Sequence, residues 1–240
     1  MKKLLLLSSA LLVLTASAAS AQVNLSWNNC LGVGTAAMNK NYACTGAGEV
    51  HRLVMSWKNP VAQPQFVSIA AVVDIQTSSP ILPDFWRRGL TECAEGNVDF
   101  PGSLAGIGNA SCINLWSDAN TGGGFDYSSG FGGPGRARLR TTFSRDTPTA
   151  TVYGTHYLAG VINLLTAFDD TCPGCQVPGC LVLNSMELLQ VAEGDPADDI
   201  YVMDHADQRN WVTWQGGDGS CVGATPTQNK TWGSVKSLYR

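Results

Sequence analysis

Gly135 to Phe143, GRARLRTTF, alternates basic or polar residues with apolar ones at nearly every second position. In an extended chain successive side chains project to opposite faces. Arg136, Arg138, Arg140 and Thr142 therefore share one side, and Ala137, Leu139, Thr141 and Phe143 the other. One face is wet and the other buried, the signature of a strand covered on one side by a core.

The same kind of segment recurs on either side. Short runs rich in Val, Ile, Leu, Thr and aromatics are separated by Gly, Pro, Asn or Asp clusters, and no stretch of twelve residues has a convincing amphipathic helical period. Candidate strands are Val23 to Trp27, Val50 to Trp57, Gln65 to Gln76, Cys112 to Trp116, Arg136 to Phe143, Ala150 to Tyr153, Tyr157 to Phe168, Cys180 to Gln190, Ile200 to Met203 and Asn210 to Trp214. FVSIAAVVDI and YLAGVINLLTAF are almost continuously apolar, as in central strands covered on both faces; periodicity alone also allows a buried helix for the second. Pro83 to Arg88 suits a short helical turn with Pro83 at its first position. The expected fold is all-β, a disulfide-stapled sandwich or jelly roll of about nine or ten strands. TGGGFDYSSGFGGPG, ending at Gly135, and EGDPADD, from Glu193 to Asp199, are expected to be surface loops. No internal repeat or linker divides residues 22–240, which are expected to form one domain.

MKKLLLLSSALLVLTASAASA has the form of a secretory signal peptide, residues 1–21, with Lys2 and Lys3 before an apolar run from Leu4 to Leu14 and a small-residue cleavage site at Ala19-Ser20-Ala21. The run is shorter than the ~20 apolar residues a spanning helix needs, and no later segment approaches that length. A released, periplasmic or surface location is expected. The chain carries 15 basic and 19 acidic residues, a formal charge of -4; loss of Lys2 and Lys3 would leave 13 and 19, near -6. Such a balance disfavours general binding to nucleic acid or anionic membrane.

All eight cysteines, Cys30, Cys44, Cys93, Cys112, Cys172, Cys175, Cys180 and Cys221, follow the leader, as expected of disulfides in an oxidising compartment. TCPGCQVPGC, Thr171 to Cys180, could also be a zinc knuckle or a redox motif. It lacks the repeated short pair of a zinc ribbon, and its prolines and glycines favour turns over the strand-to-helix setting of a redox CxxC. Eight cysteines allow 105 pairings. Short turn-rich segments between them favour Cys30 with Cys44 and Cys93 with Cys112, loops of a size whose closure is worth about 3 kcal/mol in the chain-entropy model.

No motif names an activity. Gly32 to Ala37 matches GxGxxA but lies between two cysteines without a following helix, so a turn is expected. No GxSxG elbow occurs. Asp204, His205 and Asp207 gather acid and base groups, although neighbours on a strand face opposite ways. His51 and His156 are expected to be hydrogen-bonded structural residues. Glu193, Asp195, Asp198 and Asp199 could supply oxygen ligands to calcium, though not in EF-hand spacing; no other cofactor is implied. Arg136, Arg138 and Arg140, with Arg145 nearby, could hold anionic sugars or carboxylates through bidentate hydrogen bonds, or protect a sheet edge. Of seven tryptophans, Trp86, beside Arg87 and Arg88, and Trp211 and Trp214 in WVTWQGG are candidates for sugar stacking.

With LSWNNC, ILPDFW, GPGRARLR, CPGCQVPGC, VTWQGG and TWGSVKSLYR, the chain resembles a group of exported, cysteine-rich, β-type bacterial proteins of uncharacterised activity. The resemblance covers most of residues 22–240 and implies export without assigning an activity or a ligand. The expected function is a non-catalytic binding or cell-surface interaction module for a glycan or another surface protein. The alternatives are a secreted hydrolase using two carboxylates on polysaccharide, and a structural surface component.

Overall fold

The computed structural model describes residues 22–45, 48–101, 104, 106–109, 111–117, 120–166, 171–191, 199–204 and 210–217, with Gln22 and 199–204 described by backbone alone. Among the described residues twelve strands run β1 (Gln22–Trp27), β2 (Asn39–Lys40), β3 (Val50–Lys58), β4 (Gln63–Thr77), β5 (Val98–Asp99), β6 (Ile113–Asn114), β7 (Thr121–Ser129), β8 (Arg136–Thr151), β9 (His156–Leu165), β10 (Gly179–Gln190), β11 (Asp199–Asp204) and β12 (Trp211–Trp214). They form two sheets, one ordered β1-β3-β9-β5 with β6 also on β9, the other β2-β12-β10-β4-β8-β7 with β11 also on β10. The sheets pack as a sandwich, and the expected all-β class holds. YLAGVINLLTAF is a strand over residues 156–165. Pro83 caps a 3-10 turn at Asp84–Trp86. Among the described residues no helix is long and apolar enough to cross a membrane.

The inner faces follow the two-residue period. Ala137, Leu139, Thr141 and Phe143 of β8 are buried while Arg140 and Thr142 are exposed; on β4, Ile69, Ala71, Val73 and Ile75 are buried with half-exposed residues between them. Trp27, Trp57, Trp86 and Trp214 are fully buried. Burial of each side chain of this kind contributes roughly 1.5–3 kcal/mol. Trp57 of β3 and Phe66 of β4 meet across the sheets at 5.6 Å between ring centroids.

The smaller sheet is buried on its second face too. Val54, Ser56 and Leu158 are inaccessible, and every residue from Tyr157 to Leu164 is buried, which explains the unbroken apolar run in β9. A disulfide between Cys30 and Cys112 ties the segment after β1 to the one before β6. Asn29 Oδ1 accepts from the N–H groups of Cys30 and Gly108, both at 2.8 Å, at the same place. With that sheet closed, the outward face of the larger sheet remains.

Two expectations are corrected here. The disulfides are Cys30–Cys112, Cys44–Cys175 and Cys93–Cys172, not Cys30–Cys44 and Cys93–Cys112. They span 82, 131 and 79 residues and tie distant loops together, where the local-turn argument favoured neighbours in sequence. Cys180 is disulfide-bonded as well, and no described cysteine is free; Cys221 lies outside the described residues. Second, the glycine-rich stretch expected as loop contains β7, and β8 runs unbroken to Thr151. Pro148 is accommodated because register with β4 jumps between Ser68↔Ser144 and Phe66↔Thr149, leaving the intervening β8 residues without ladder partners on β4.

Candidate functional site

The arginine row lies on the outward face of the larger sheet. β8 is flanked by β4 and β7, so the edge-protecting role considered for these arginines does not apply. The three have different surroundings. Arg138 is buried and forms a fork with Asp74 of β4, Nε donating to Oδ1 at 2.6 Å and Nη2 to Oδ2 at 2.8 Å. Asn184 Nδ2 of β10 donates to the same carboxylate, and the Phe131 ring covers the guanidinium at 3.8 Å from its centroid. Arg138 is thereby a structural cation, its donors directed into the sheet. Arg140 is half-exposed and donates to Asp126 of β7 at 3.2 Å. Arg145 lies on the opposite face, buried, donating to the carbonyls of Thr147 and Leu115.

Arg136 is placed differently. It is the direct cross-strand partner of Gln76, and both line a recess of about 340 Å³ with Thr77, Ser79, Pro80 and the Gly132–Gly135 turn. The turn is shaped by its glycines. Gly132 and Gly133 have φ of 77° and 147°, conformations that side chains resist. A Cβ on Gly135 would run into the carbonyl oxygen of Ser79 at 2.5 Å. Leu82 N–H donates to Pro134 O and Thr77 N–H to Gly135 O, which holds the turn over the end of the sheet. Gln76 Oε1 is buried and has no hydrogen-bond partner among the described residues. The recess thus combines a guanidinium, an unsatisfied acceptor and glycine backbone, groups suited to a ligand that carries both a carboxylate and hydroxyls.

The tryptophan candidates divide. Trp86 and Trp214 are fully buried and offer no face for stacking. Trp214 is the hub of an aromatic cluster with Trp27, Tyr42, His51, Phe85 and Trp86, at centroid distances of 4.9–5.8 Å. Its indole N–H donates to Cys175 O at 2.7 Å. Trp211, on the other face of β12, is half-exposed and packs on Cys180 and Val182, away from the recess across β10 and β4.

Both described histidines belong to the scaffold. His51 lies tilted against Tyr42 at 4.2 Å and, unlike the hydrogen-bonded residue expected, has no hydrogen-bond partner on either ring nitrogen among the described residues. Burial, helped by Lys40 and Arg88, lowers its pKa to about 4, so the Glu49 carboxylate at 3.7 Å meets a neutral ring at pH 7. His156 shares a hydrogen bond of 2.9 Å with the inaccessible Ser56, and burial lowers its pKa as well. Of the acidic group, Glu193, Asp195 and Asp198 lie outside the described residues, as do His205 and Asp207. Asp199 and Asp204 are the ends of β11, described by backbone only. Among the described residues no three His, Cys, Asp or Glu side chains gather as metal ligands. Gly32 to Ala37 is a turn, ended by a bridge between Ala37 and Trp27.

The sequence singled out Arg136 but missed Gln76, Ser79 and the Gly132–Gly135 turn. Gln76 ends an apolar run and carried no separate signal; only its register opposite Arg136 gives it a role.

No family model and no curated protein matches the sequence. Among solved structures the chain is similar to a type II cohesin domain from the cellulosome of Acetivibrio cellulolyticus, at 12% identity and a TM-score of 0.34, over 78% of this chain and 99% of that one. A likeness at that score carries nothing about ligand or partner.

Proposed function

We propose that the chain is an exported, non-catalytic binding module, and that its ligand is a glycan bearing a carboxylate, seated in the recess between Arg136 and Gln76. The observation that carries this reading is the buried, unsatisfied Gln76 Oε1 beside a guanidinium in a recess roofed by glycine backbone. An acceptor buried without a donor costs about 1–3 kcal/mol, which a ligand hydroxyl would recover once the Gln76 side chain turns its amide into the recess. Arg136 gives the carboxylate a planar, two-pronged partner. The cross-links support an oxidising destination, since disulfides persist outside the reducing cytosol.

A glycan array probed with the disulfide-intact protein tests this, first with calcium and then with a chelator. Hits concentrated on uronic-acid or sialic-acid glycans, resistant to chelator and lost in Arg136→Gln, are the expected result. Chelator-sensitive hits would move the site to the acidic stretch from Glu193 to Asp199. A blank array would remove the glycan from the reading.

A further inference from the structure

Among the described residues β7 is an edge strand of the larger sheet, paired with β8 alone. Its backbone direction follows from the two ends of that ladder: Gly130 N–H donates to Arg136 O, and Asp146 N–H donates to Asn120 O. Both bonds fall on even-numbered β7-side residues. Because antiparallel pairing alternates, the N–H and C=O groups of the odd-numbered residues, Thr121, Gly123, Phe125 and Tyr127, are directed away from β8.

The second half of this edge is covered. Tyr127 Oη donates to Trp86 O, Ser129 Oγ to Glu92 Oε2 at 2.6 Å, and the position of a Cβ on Gly89 is 3.3 Å from Tyr127 O. The first half is open, with every residue from Thr121 to Asp126 exposed. Over Thr121 to Phe125 it carries no proline and no charged side chain, only three consecutive glycines between Thr121 and Phe125, and Asp126 is its one charged residue.

The side chains around it define what fits. On the inner face Phe125 is 43% exposed and stacks on Phe100 at 5.3 Å, and Phe100 lies 4.7 Å from Phe143, so an aromatic shelf reaches the surface beside the edge. Gly123 cannot supply a side chain to this shelf, since a Cβ there would lie 2.8 Å from Thr142 O. On the outer face Asp146, opposite Asn120, and Asp126, which also meets Arg140, stand at the two ends of the open segment. Six residues of strand separate them, about 20 Å.

We propose that Thr121–Asp126 is a strand-addition site for an extended peptide of a partner protein, with an aromatic or branched apolar residue opposite Gly123 and a basic residue toward each end. Backbone hydrogen bonds to Thr121, Gly123 and Phe125 hold the strand, and the shelf and the two carboxylates select its sequence. A second copy of the chain is a poorer occupant. Its own β7, TGGGFDYSS, has no basic residue and would bring the same carboxylates to face these. This site is separate from the Arg136 recess and stands whether or not that recess binds a glycan.

The test uses the fluorescein-labelled nonapeptide TKVTFTVKT, which places Phe and two Val on one face and two Lys six residues apart on the other, titrated by anisotropy into the disulfide-intact chain. Expected are saturable binding, at least tenfold weaker binding to Thr121→Pro and to Phe125→Ser, and unchanged binding to Gly124→Ala and Arg136→Gln. Gly124 has open space and an N–H in the β8 ladder, so it serves as control. The acidic counterpart TEVTFTVET is expected to bind at least tenfold more weakly. Phe125→Ser keeps the test valid should Thr121→Pro not fold, as judged by circular dichroism. No binding, binding equal across the variants, or a self-associated dimer that Thr121→Pro dissolves would overturn the proposal.

Discussion

Arg138 and Asp74 are locked in a two-bond fork across β8 and β4, at 2.6 and 2.8 Å, under the ring of Phe131 and beside the amide of Asn184. This one contact decides what the arginine row can do. It removes the central arginine from solvent and leaves Arg136 and Arg140 with separate surroundings.

Removing either partner of the fork leaves the other partly buried without its counter-charge. Arg138→Met and Asp74→Asn are each expected to lower the unfolding free energy by about 3 kcal/mol. Urea denaturation checks this, and a double-mutant cycle should show strong coupling. Ligand binding at the recess should survive in both.

His51 makes stability depend on pH. Its pKa is about 4 in the folded chain, against the ordinary value of 6.5. Between these values the unfolded chain binds the extra proton, so stability falls as pH drops from about 6.5 to about 4 and is level above that window. Every pH unit across that window corresponds to about 1.4 kcal/mol, so acidification through it removes on the order of 3 kcal/mol of stability through this ring. The difference between wild-type and His51→Phe stability curves should carry this slope. His156, lowered in the same direction, keeps a smaller slope in the variant.

Gly160 of β9 faces the ring of Phe143, and a Cβ there would overlap its Cδ2, Cε2 and Cζ atoms. Gly160→Ala is expected to cost about 1–3 kcal/mol through overpacking. Combining it with Phe143→Leu should relieve part of that loss, readable as a partly restored thermal midpoint.

The disulfide pairing is checked by peptide mapping without reduction, which should find Cys30 linked to Cys112, Cys44 to Cys175 and Cys93 to Cys172. The Cys44–Cys175 link closes 131 residues. Its replacement by two alanines is expected to cost about 4–5 kcal/mol in the chain-entropy model.

The alternation in GRARLRTTF placed β8 and its two faces correctly, because a period of two is a local property of the backbone. β7 was not legible. Gly122, Gly123 and Gly124 have low strand propensity, and pairing with β8 overrides it. The cysteine pairs were hidden for the same reason: which loops meet is fixed by sheet order, which composition does not encode. Trp86 and Trp214 illustrate the limit at the site. Flanking arginines and a glycine loop made them look accessible, yet both fill the closed end of the core. Gln76 acquires its role only from its partner across the ladder.

The most direct measurement is an NMR titration of the ¹⁵N-labelled, disulfide-intact protein with trigalacturonate, a carboxylated sugar. Saturable shifts centred on the amides of Gly132, Gly133 and Gly135, the Gln76 side-chain amide and Arg136 Nε–H, abolished by Arg136→Gln, are expected. No shift, or shifts centred elsewhere on the surface, would contradict the assignment of this recess as the binding site.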